Sequence, residues 1–373
     1  MKIAIVCYPT FGGSGVVATE LGIALSKRGH EIHFVTYKQP VRLEYLSHQI
    51  KYHEVIVPEY PLFHYQPYEL ALSSKLVTVV KQHQIDLLHV HYAIPHAYAG
   101  FMAQQMLQDE GIKLPMITTL HGTDITLVGS HSFYKPAVNF SINQSNLVTS
   151  VSQSLKENTL DIFDINKDIN VIPNFIDFEK VKFDVGNCQR HLMANDDEKI
   201  ITHVSNLRPV KRISDVIKVF AKIRQQLKAK LIIVGDGPER ENASVLAHKL
   251  NVRQDIIFLG KSNEVEKILC FSDLFLLPSK KESFGLAALE AMAYSVPVIS
   301  TNTGGIPEVN KHGVSGFLSD LGDVEDMAKN AVHILSNEAR LENFKVNAKK
   351  TALQFDVKAI VPKYEALYEQ MVQ

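Results

Sequence analysis

Leu274-Phe275-Leu276-Leu277-Pro278-Ser279-Lys280-Lys281-Glu282-Ser283-Phe284-Gly285-Leu286-Ala287-Ala288-Leu289-Glu290-Ala291-Met292-Ala293 sets an apolar run, a polar loop and an apolar helical pattern side by side. The four-residue run is short enough for a strand buried on both faces, and the pattern after Gly285 is apolar enough for a buried helix. A buried strand leading directly into a buried helix is the repeating unit of a parallel α/β sheet.

Outward from this stretch the same rhythm recurs. Apolar runs at 2–7, 32–36, 87–90, 116–120 and 147–151 read as strands, with amphipathic helices such as 14–28 and 69–83 between them. A second series follows at 200–204, 231–234, 256–259, 274–277 and 296–300. The rhythm is broken after Ile172 by Pro173-Asn174-Phe175-Ile176-Asp177 and a polar stretch running to Lys199. After Phe317 only helices are expected, at 323–336, 338–353 and 357–371, with Pro362 kinking the last or marking its first turn. The expected fold is α/β, with two Rossmann-like, doubly wound parallel-sheet domains facing a cleft. Residues 1–172 form the first and 173–355 the second.

Composition narrows the function. The 373 residues are 46% hydrophobic and 21% charged, with a formal charge of −1, so no global field points to nucleic acid. No apolar stretch reaches spanning length, which argues against stable membrane association. Cys7, Cys188 and Cys270 form neither a Cys-x-x-Cys pair nor an even set, the usage expected of reduced thiols in a cytoplasmic protein.

Several motifs carry chemistry. Gly12-Gly13-Ser14-Gly15 follows the first strand and opens a helix, where backbone N–H groups and the helix dipole can hold phosphate, although the glycines also suit a tight turn. The spacing fits a dinucleotide fingerprint, but Thr36-Tyr37-Lys38-Gln39 lacks the acid that would hold a nicotinamide ribose. Eleven of the sixteen histidines precede position 132, and His89 and His91 share one strand face, yet no further ligand follows at a metal-site spacing. No Asp-x-Asp is present, so neither a metal nor another cofactor is expected.

Ser205-Asn206-Leu207-Arg208-Pro209-Val210-Lys211-Arg212 lies at the carboxyl end of a strand, where doubly wound sheets bind ligands. Arg208 offers bidentate contact to phosphate, and Lys211 a point charge from the first turn of the next helix. Glu290 is expected two turns inside the apolar helix, where a carboxylate needs hydrogen-bond donors such as ribose hydroxyls. Free N–H groups at Phe284-Gly285-Leu286 suit an anion.

Glu282 and Glu290 eight positions apart, with Arg208 and Lys211, closely resemble the retaining glycosyltransferase family 4 of the GT-B type. Asn302-Thr303-Gly304-Gly305-Ile306-Pro307-Glu308 and Gly313-Val314-Ser315-Gly316-Phe317 extend that resemblance. It implies a UDP-sugar donor, with Arg208 and Lys211 on the diphosphate, Glu290 on ribose, and Glu282 on the sugar with backbone at Ser283, Phe284, Gly285 and Leu286. Asn206, Gly260, Gly13 and Gly15 complete the expected donor contacts. His121, within His121-Gly122-Thr123-Asp124, matches the histidine that faces the sugar. The helix at 356–373 is expected to return to the first domain.

Three N-terminal segments, Cys7-Tyr8-Pro9-Thr10-Phe11-Gly12-Gly13-Ser14-Gly15, His89-Val90-His91-Tyr92-Ala93-Ile94-Pro95-His96-Ala97 and His121-Gly122-Thr123-Asp124-Ile125-Thr126, resemble a narrower branch of that family. Members join N-acetylglucosamine from UDP-N-acetylglucosamine to L-malate in bacillithiol synthesis. The resemblance implies a small hydroxy-acid acceptor, for which Ser14, Tyr92, Thr123 and Lys135 are the candidate contacts. The segment Phe133-Tyr134-Lys135-Pro136-Ala137-Val138-Asn139 departs from the branch, which has an arginine-containing stretch there. The residues alone leave open a lipid or polysaccharide acceptor, a non-catalytic sugar-nucleotide binder, and assembly into a homo-oligomer.

Overall fold

The computed structural model describes every residue except Phe11, 44–46, 60–65, 182–189, Asn263 and Gln373. Cys188 and Phe11 therefore lie outside the described residues. The chain divides into two compact units, Met1–Phe175 with Val357–Gln373, and Ile176–Asp356.

Unit 1 is built on seven strands: β1 (Lys2–Val6), β2 (Glu31–Thr36), β3 (Ile50–Glu54), β4 (Leu87–His91), β5 (Met116–Leu120), β6 (Leu147–Ser150) and β7 (Ile169–Val171). They lie in the order β3-β2-β1-β4-β5-β6-β7, and every pairing is parallel. β4 and β5 are buried along their whole length, because helices cover both faces of such a sheet.

Unit 2 holds six strands: β8 (Lys199–Val204), β9 (Ala229–Val234), β10 (Ile256–Gly260), β11 (Leu274–Leu277), β12 (Val298–Thr301) and β13 (Gly316–Ser319). Their order is β10-β9-β8-β11-β12-β13, again parallel throughout. Helix Ile213–Arg224 buries Val216, Ile217, Phe220 and Ile223 in a core shared with Leu231, Leu274 and Leu276.

This is the doubly wound architecture that the sequence predicts, and the differences have physical reasons. β3 was not expected, since Ile50-Lys51-Tyr52-His53-Glu54 is polar, but it is an edge strand buried fully only at Ile50. β7 is three residues long and also at an edge. β13 runs through Phe317 to Ser319, where only helices were expected. The expected strand at 296–300 begins instead at Val298, after Pro297, which has no N–H for the ladder. Pro362 is the sixth residue of the final helix, Val357–Val372, and so lies beyond its first turn.

That final helix packs within unit 1 rather than unit 2. Its buried face carries Val357, Ile360, Val361, Tyr364 and Tyr368, and the Tyr368 hydroxyl lies 2.7 Å from His89 Nδ1 on β4. At its surface, Arg28 Nε donates to Glu365 at 2.8 Å.

Candidate functional site

In a doubly wound sheet the strand order reverses at one point, and the loops leaving the strands on either side diverge to open a crevice. In unit 2 that point lies between β8 and β11. The loop after β8 contains Ser205, Asn206, Leu207 and Arg208, then a single 3₁₀ turn, Pro209–Lys211. Lys211 thus stands on a separate turn, not in the first turn of helix Ile213–Arg224; Arg212, in the left-handed region at φ 52°, separates the two.

The two loops at this point are joined. Lys211 Nζ donates to Glu282 Oε2 at 2.6 Å, and Lys280 N donates to Val210 O at 2.8 Å. Both partners of the ion pair are about one-fifth exposed, 21% and 17%, so a ligand can reach them. Arg208 and Asn206 are exposed beside them. Buried His203 supports this loop: its Nδ1 lies 2.8 Å from Leu276 O and its Nε2 2.8 Å from Ser205 Oγ.

Three glycines let backbone segments meet here. A Cβ on Gly304 would lie 2.0 Å from Glu282 O, and one on Gly305 2.3 Å from Ser283 O. Gly305 N donates to Glu282 O at 2.9 Å, so the loop after β12 braces the Glu282 backbone. Gly237 lies against Asn206 O in the same way, with a Cβ distance of 2.1 Å.

Helix Leu286–Ala293 begins after Gly285, whose φ of 96° places it in the left-handed region. No side chain caps this end, which leaves first-turn N–H groups of the kind an anion can use. Glu290 is half-buried and four residues past Leu286. It stands just over one turn inside the helix rather than the expected two, because the helix starts at Leu286. Phe284 is buried against Phe355 with ring centroids 5.7 Å apart. Gly260 ends β10 at φ 73°, and its carbonyl accepts from Gly235 N at 2.7 Å.

In unit 1 the strand order reverses between β1 and β4. The loops after these strands also meet, through Ser14 Oγ and the Tyr92 hydroxyl at 2.6 Å. Gly13 is the first residue of helix Gly13–Lys27, and Gly12 caps it without a side chain. Gly15 admits the loop itself, since its Cβ would lie 2.4 Å from Tyr8 O and 2.5 Å from Thr10 O. Thr123 is near enough to the Tyr92 phenol to influence its titration, which places it beside the Ser14–Tyr92 pair. Lys135 is exposed at the start of helix Lys135–Gln144, and no hydrogen bond or ion pair found among the described residues joins it to that trio.

His121 stands beside the same trio, its ring 5.2 Å from that of Tyr92, and its Nε2 lies 2.8 Å from His91 Nδ1. His89 and His91 stack at 4.4 Å, but His89 spends both nitrogens on Tyr368 and Thr119, which leaves it no atom for a metal. Burial lowers His89 and His121 to about 3, so both rings are neutral near pH 7.

Sequence reasoning missed the part played by Asp124. It is buried, and its two oxygens accept from Ala93 N at 2.8 Å and Gly122 N at 3.0 Å, which ties the His121 loop to the segment after β4. Burial raises it to about 6. The signal was present in the sequence, since a carboxylate two residues after Gly122 is placed to accept a local N–H.

Comparison with known proteins covers the whole chain. The family described as Glycosyltransferase Family 4 matches residues 11–180, and that described as Glycosyl transferases group 1 matches 188–351. The N-acetyl-alpha-D-glucosaminyl L-malate synthase of Bacillus anthracis is 46% identical, over 100% of this chain and 98% of its own. An uncharacterised glycosyltransferase of Methanocaldococcus jannaschii is 30% identical over 94% of this chain and 93% of its own. Among solved structures, Anabaena HepE in complex with UDP and glucose has a TM-score of 0.83 at 22% identity, covering 99% of each chain.

Proposed function

The chain belongs to family 4 of the glycosyltransferases, and on that premise we propose that it transfers N-acetylglucosamine from UDP-N-acetylglucosamine to the hydroxyl of L-malate, with retention and without a metal. The observation that carries this reading is the 46% identity to the malate synthase along the full length, since it includes the acceptor-side segments as well as the donor loops.

In this reading unit 2 holds the donor. Arg208, Lys211 and the N–H groups that follow Gly285 take the diphosphate, Glu290 the ribose, and Glu282 the sugar hydroxyls. The ion pair between Lys211 and Glu282 supports that division, because it sets a cation for phosphate beside a carboxylate for hydroxyls. Asn206 and Gly260 add donor contacts in this reading, as do Gly13 and Gly15, which shape the helix start at the strand-order reversal of unit 1. Fixed cations and helix ends then take the place of a metal as the sink for leaving-group charge.

Unit 1 supplies the acceptor contacts. Ser14, Tyr92 and Thr123 offer hydroxyls to malate, Lys135 offers a charge, and neutral His121 faces the sugar. Retention by a covalent route needs a free carboxylate nucleophile, and Asp124 is a poor one, being buried with both oxygens bonded to backbone N–H groups. We therefore favour a front-face route. The bond from the anomeric carbon to the β-phosphate oxygen breaks, the malate hydroxyl oxygen bonds to the same face of that carbon, and its proton passes to the departing phosphate. Catalysis is then chiefly positioning and charge stabilisation.

The test is product formation. Incubating the protein with UDP-N-acetylglucosamine and L-malate should give UDP and the α-glucoside by mass spectrometry and proton coupling. A β-linked product would refute retention, and no product with malate would refute the acceptor.

A further inference from the structure

Three histidines with no part in the reading above meet where the C-terminal end of helix Tyr68–His83 reaches the edge strands of unit 1. His33 is on β2, His53 on β3, and His83 is the last residue of the helix. One ring nitrogen from each lies within 4.8 Å of the others, and His33 Nδ1 is 2.9 Å from His53 Nε2. The strand register accounts for two of them. Val35 pairs with His53, so His33, two residues before Val35, projects from the same sheet face as His53. The third is fixed by Lys2 Nζ, which donates to His83 O at 2.9 Å.

The protonation of this group follows from its partners. Glu31 accepts from Lys51 Nζ at 2.5 Å, and a carboxylate in an ion pair only accepts. His33 Nε2, 2.9 Å away, must therefore carry the ring proton. That leaves Nδ1 to face His53 Nε2, 2.9 Å away. A carboxylate behind a histidine whose other nitrogen faces a shared centre is the arrangement that orients metal ligands.

The chemistry of the donors selects the ion. Hard cations require oxygen ligands, and the three donors that meet here are ring nitrogens, so a hard cation is disfavoured. Imidazole nitrogens suit a late first-row divalent cation, whose bonds of about 2.0–2.1 Å place tetrahedral ligand atoms roughly 3.4 Å apart. Here His33 Nδ1 and His53 Nε2 are 2.9 Å apart and all three ligand atoms lie within 4.8 Å of one another, so small side-chain shifts reach that spacing. His53 and His83 are half-buried, so a solvent oxygen can complete the coordination.

We propose that His33, His53 and His83 form a binding site for a zinc-class divalent cation, which clamps the end of helix Tyr68–His83 to β2 and β3. The clamp is structural and independent of the transfer reaction. It sits beside Lys2 at the start of β1, whereas the candidate site lies past the carboxyl ends of the strands.

The experiment uses the full-length chain, stripped with chelator and titrated with zinc by calorimetry and with cobalt by visible absorption. One ion per chain, tetrahedral cobalt bands and a higher thermal midpoint are expected. His53→Ala and His83→Gln should each weaken zinc by about 100-fold or more, and Glu31→Gln by about 10–100-fold. Their glycosyl transfer should match that of the parent, which reports that they are folded. Absence of binding by the parent, or binding equally tight in both histidine variants, would overturn the site.

Discussion

Lys211 Nζ lies 2.6 Å from Glu282 Oε2, so the cation read as a diphosphate ligand and the carboxylate read as a sugar ligand are direct partners. The pair spans the two loops at the strand-order reversal of unit 2. In unit 1, Ser14 and Tyr92 span the equivalent loops at 2.6 Å. Each sheet thus joins its divergent loops through a contact between polar side chains, which lie 71 and 78 residues apart in sequence.

Because Lys211 both positions Glu282 and offers charge, Lys211→Ala is expected to lose about 2–4 kcal/mol of transition-state stabilisation, as is Arg208→Ala. The loss should fall mainly on kcat at saturating donor. The double variant Lys211→Ala/Glu282→Gln should cost less than the sum of its parts, because the two act as a unit. Normal turnover by both Lys211→Ala and Arg208→Ala would remove them from the diphosphate site.

Gly304→Ala should damage the same site from a distance. Its φ is 58° and its Cβ would lie 2.0 Å from Glu282 O, so the backbone holding Glu282 must move. Strain of about 1–3 kcal/mol is expected in the thermal midpoint, with a fall in kcat. Gly111→Ala is the control, since φ is 77° there and nothing lies within 4 Å of the added carbon. It should lose stability and keep its activity.

Acid should destabilise the fold. Burial is the leading cause that lowers His96 and His203 to about 4, and His89 and His121 to about 3, from 6.5. Between 6.5 and those values the unfolded chain binds more protons than the folded one. Stability is therefore full above about pH 6.5 and falls as pH drops, by about 1.4 kcal/mol per pH unit for each such ring. Asp124, raised from 3.8 to about 6, has the opposite sign between those values and offsets one histidine. Thermal midpoints at fixed ionic strength should fall steadily from pH 7 to 5, and a flat profile would contradict the buried neutral rings.

Much of this fold was legible because parallel strands buried on both faces are written as short apolar runs, as at Met116–Leu120 and Leu274–Leu277. The edge strands β3, β7 and β13 were not, since Ile50–Glu54, for one, is held by its pairing with β2 rather than by apolar content, whereas the edge strand β10 is apolar and was legible. At the candidate site, residue type and position after a strand pointed to Arg208, Lys211 and Glu282, but the ion pair depends on which strands are neighbours. The same applies to His33, His53 and His83. Spacings of 20 and 30 residues match no local metal-ligand pattern, and only the register of β2 with β3 and the end of one helix bring them together.

Transfer should survive exhaustive chelation, because the charge sink proposed for the donor is made of side chains and helix ends. The thermal midpoint should fall under the same treatment if zinc had been bound by the three histidines. A strict requirement for magnesium or manganese in turnover would overturn the metal-free reading and leave the histidine site untouched.

The acceptor is the sharpest test of unit 1. A dicarboxylate entering a protein site loses hydration, and donors must offset that cost. Ser14, Tyr92 and Thr123 provide hydroxyls in one place, and the Tyr92 hydroxyl is central, 2.6 Å from Ser14 Oγ and close to Thr123. Burial raises that phenol to about 12, so it remains a donor across the working pH range. Tyr92→Phe removes the shared hydroxyl without changing the ring, whose neighbours Tyr8 and His121 both lie at 5.2 Å. It should raise the malate KM by roughly ten-fold, the equivalent of about 1.4 kcal/mol for one hydrogen bond to a charged group. Lys135→Ala discriminates further, because Lys135 is exposed on its helix and joins the acceptor only if malate reaches it. UDP affinity should stay unchanged in both, since the diphosphate and ribose contacts at Arg208, Lys211 and Glu290 are assigned to unit 2. Unchanged malate KM in Tyr92→Phe would remove the trio from the acceptor site, and a shift confined to Tyr92→Phe would remove Lys135 alone.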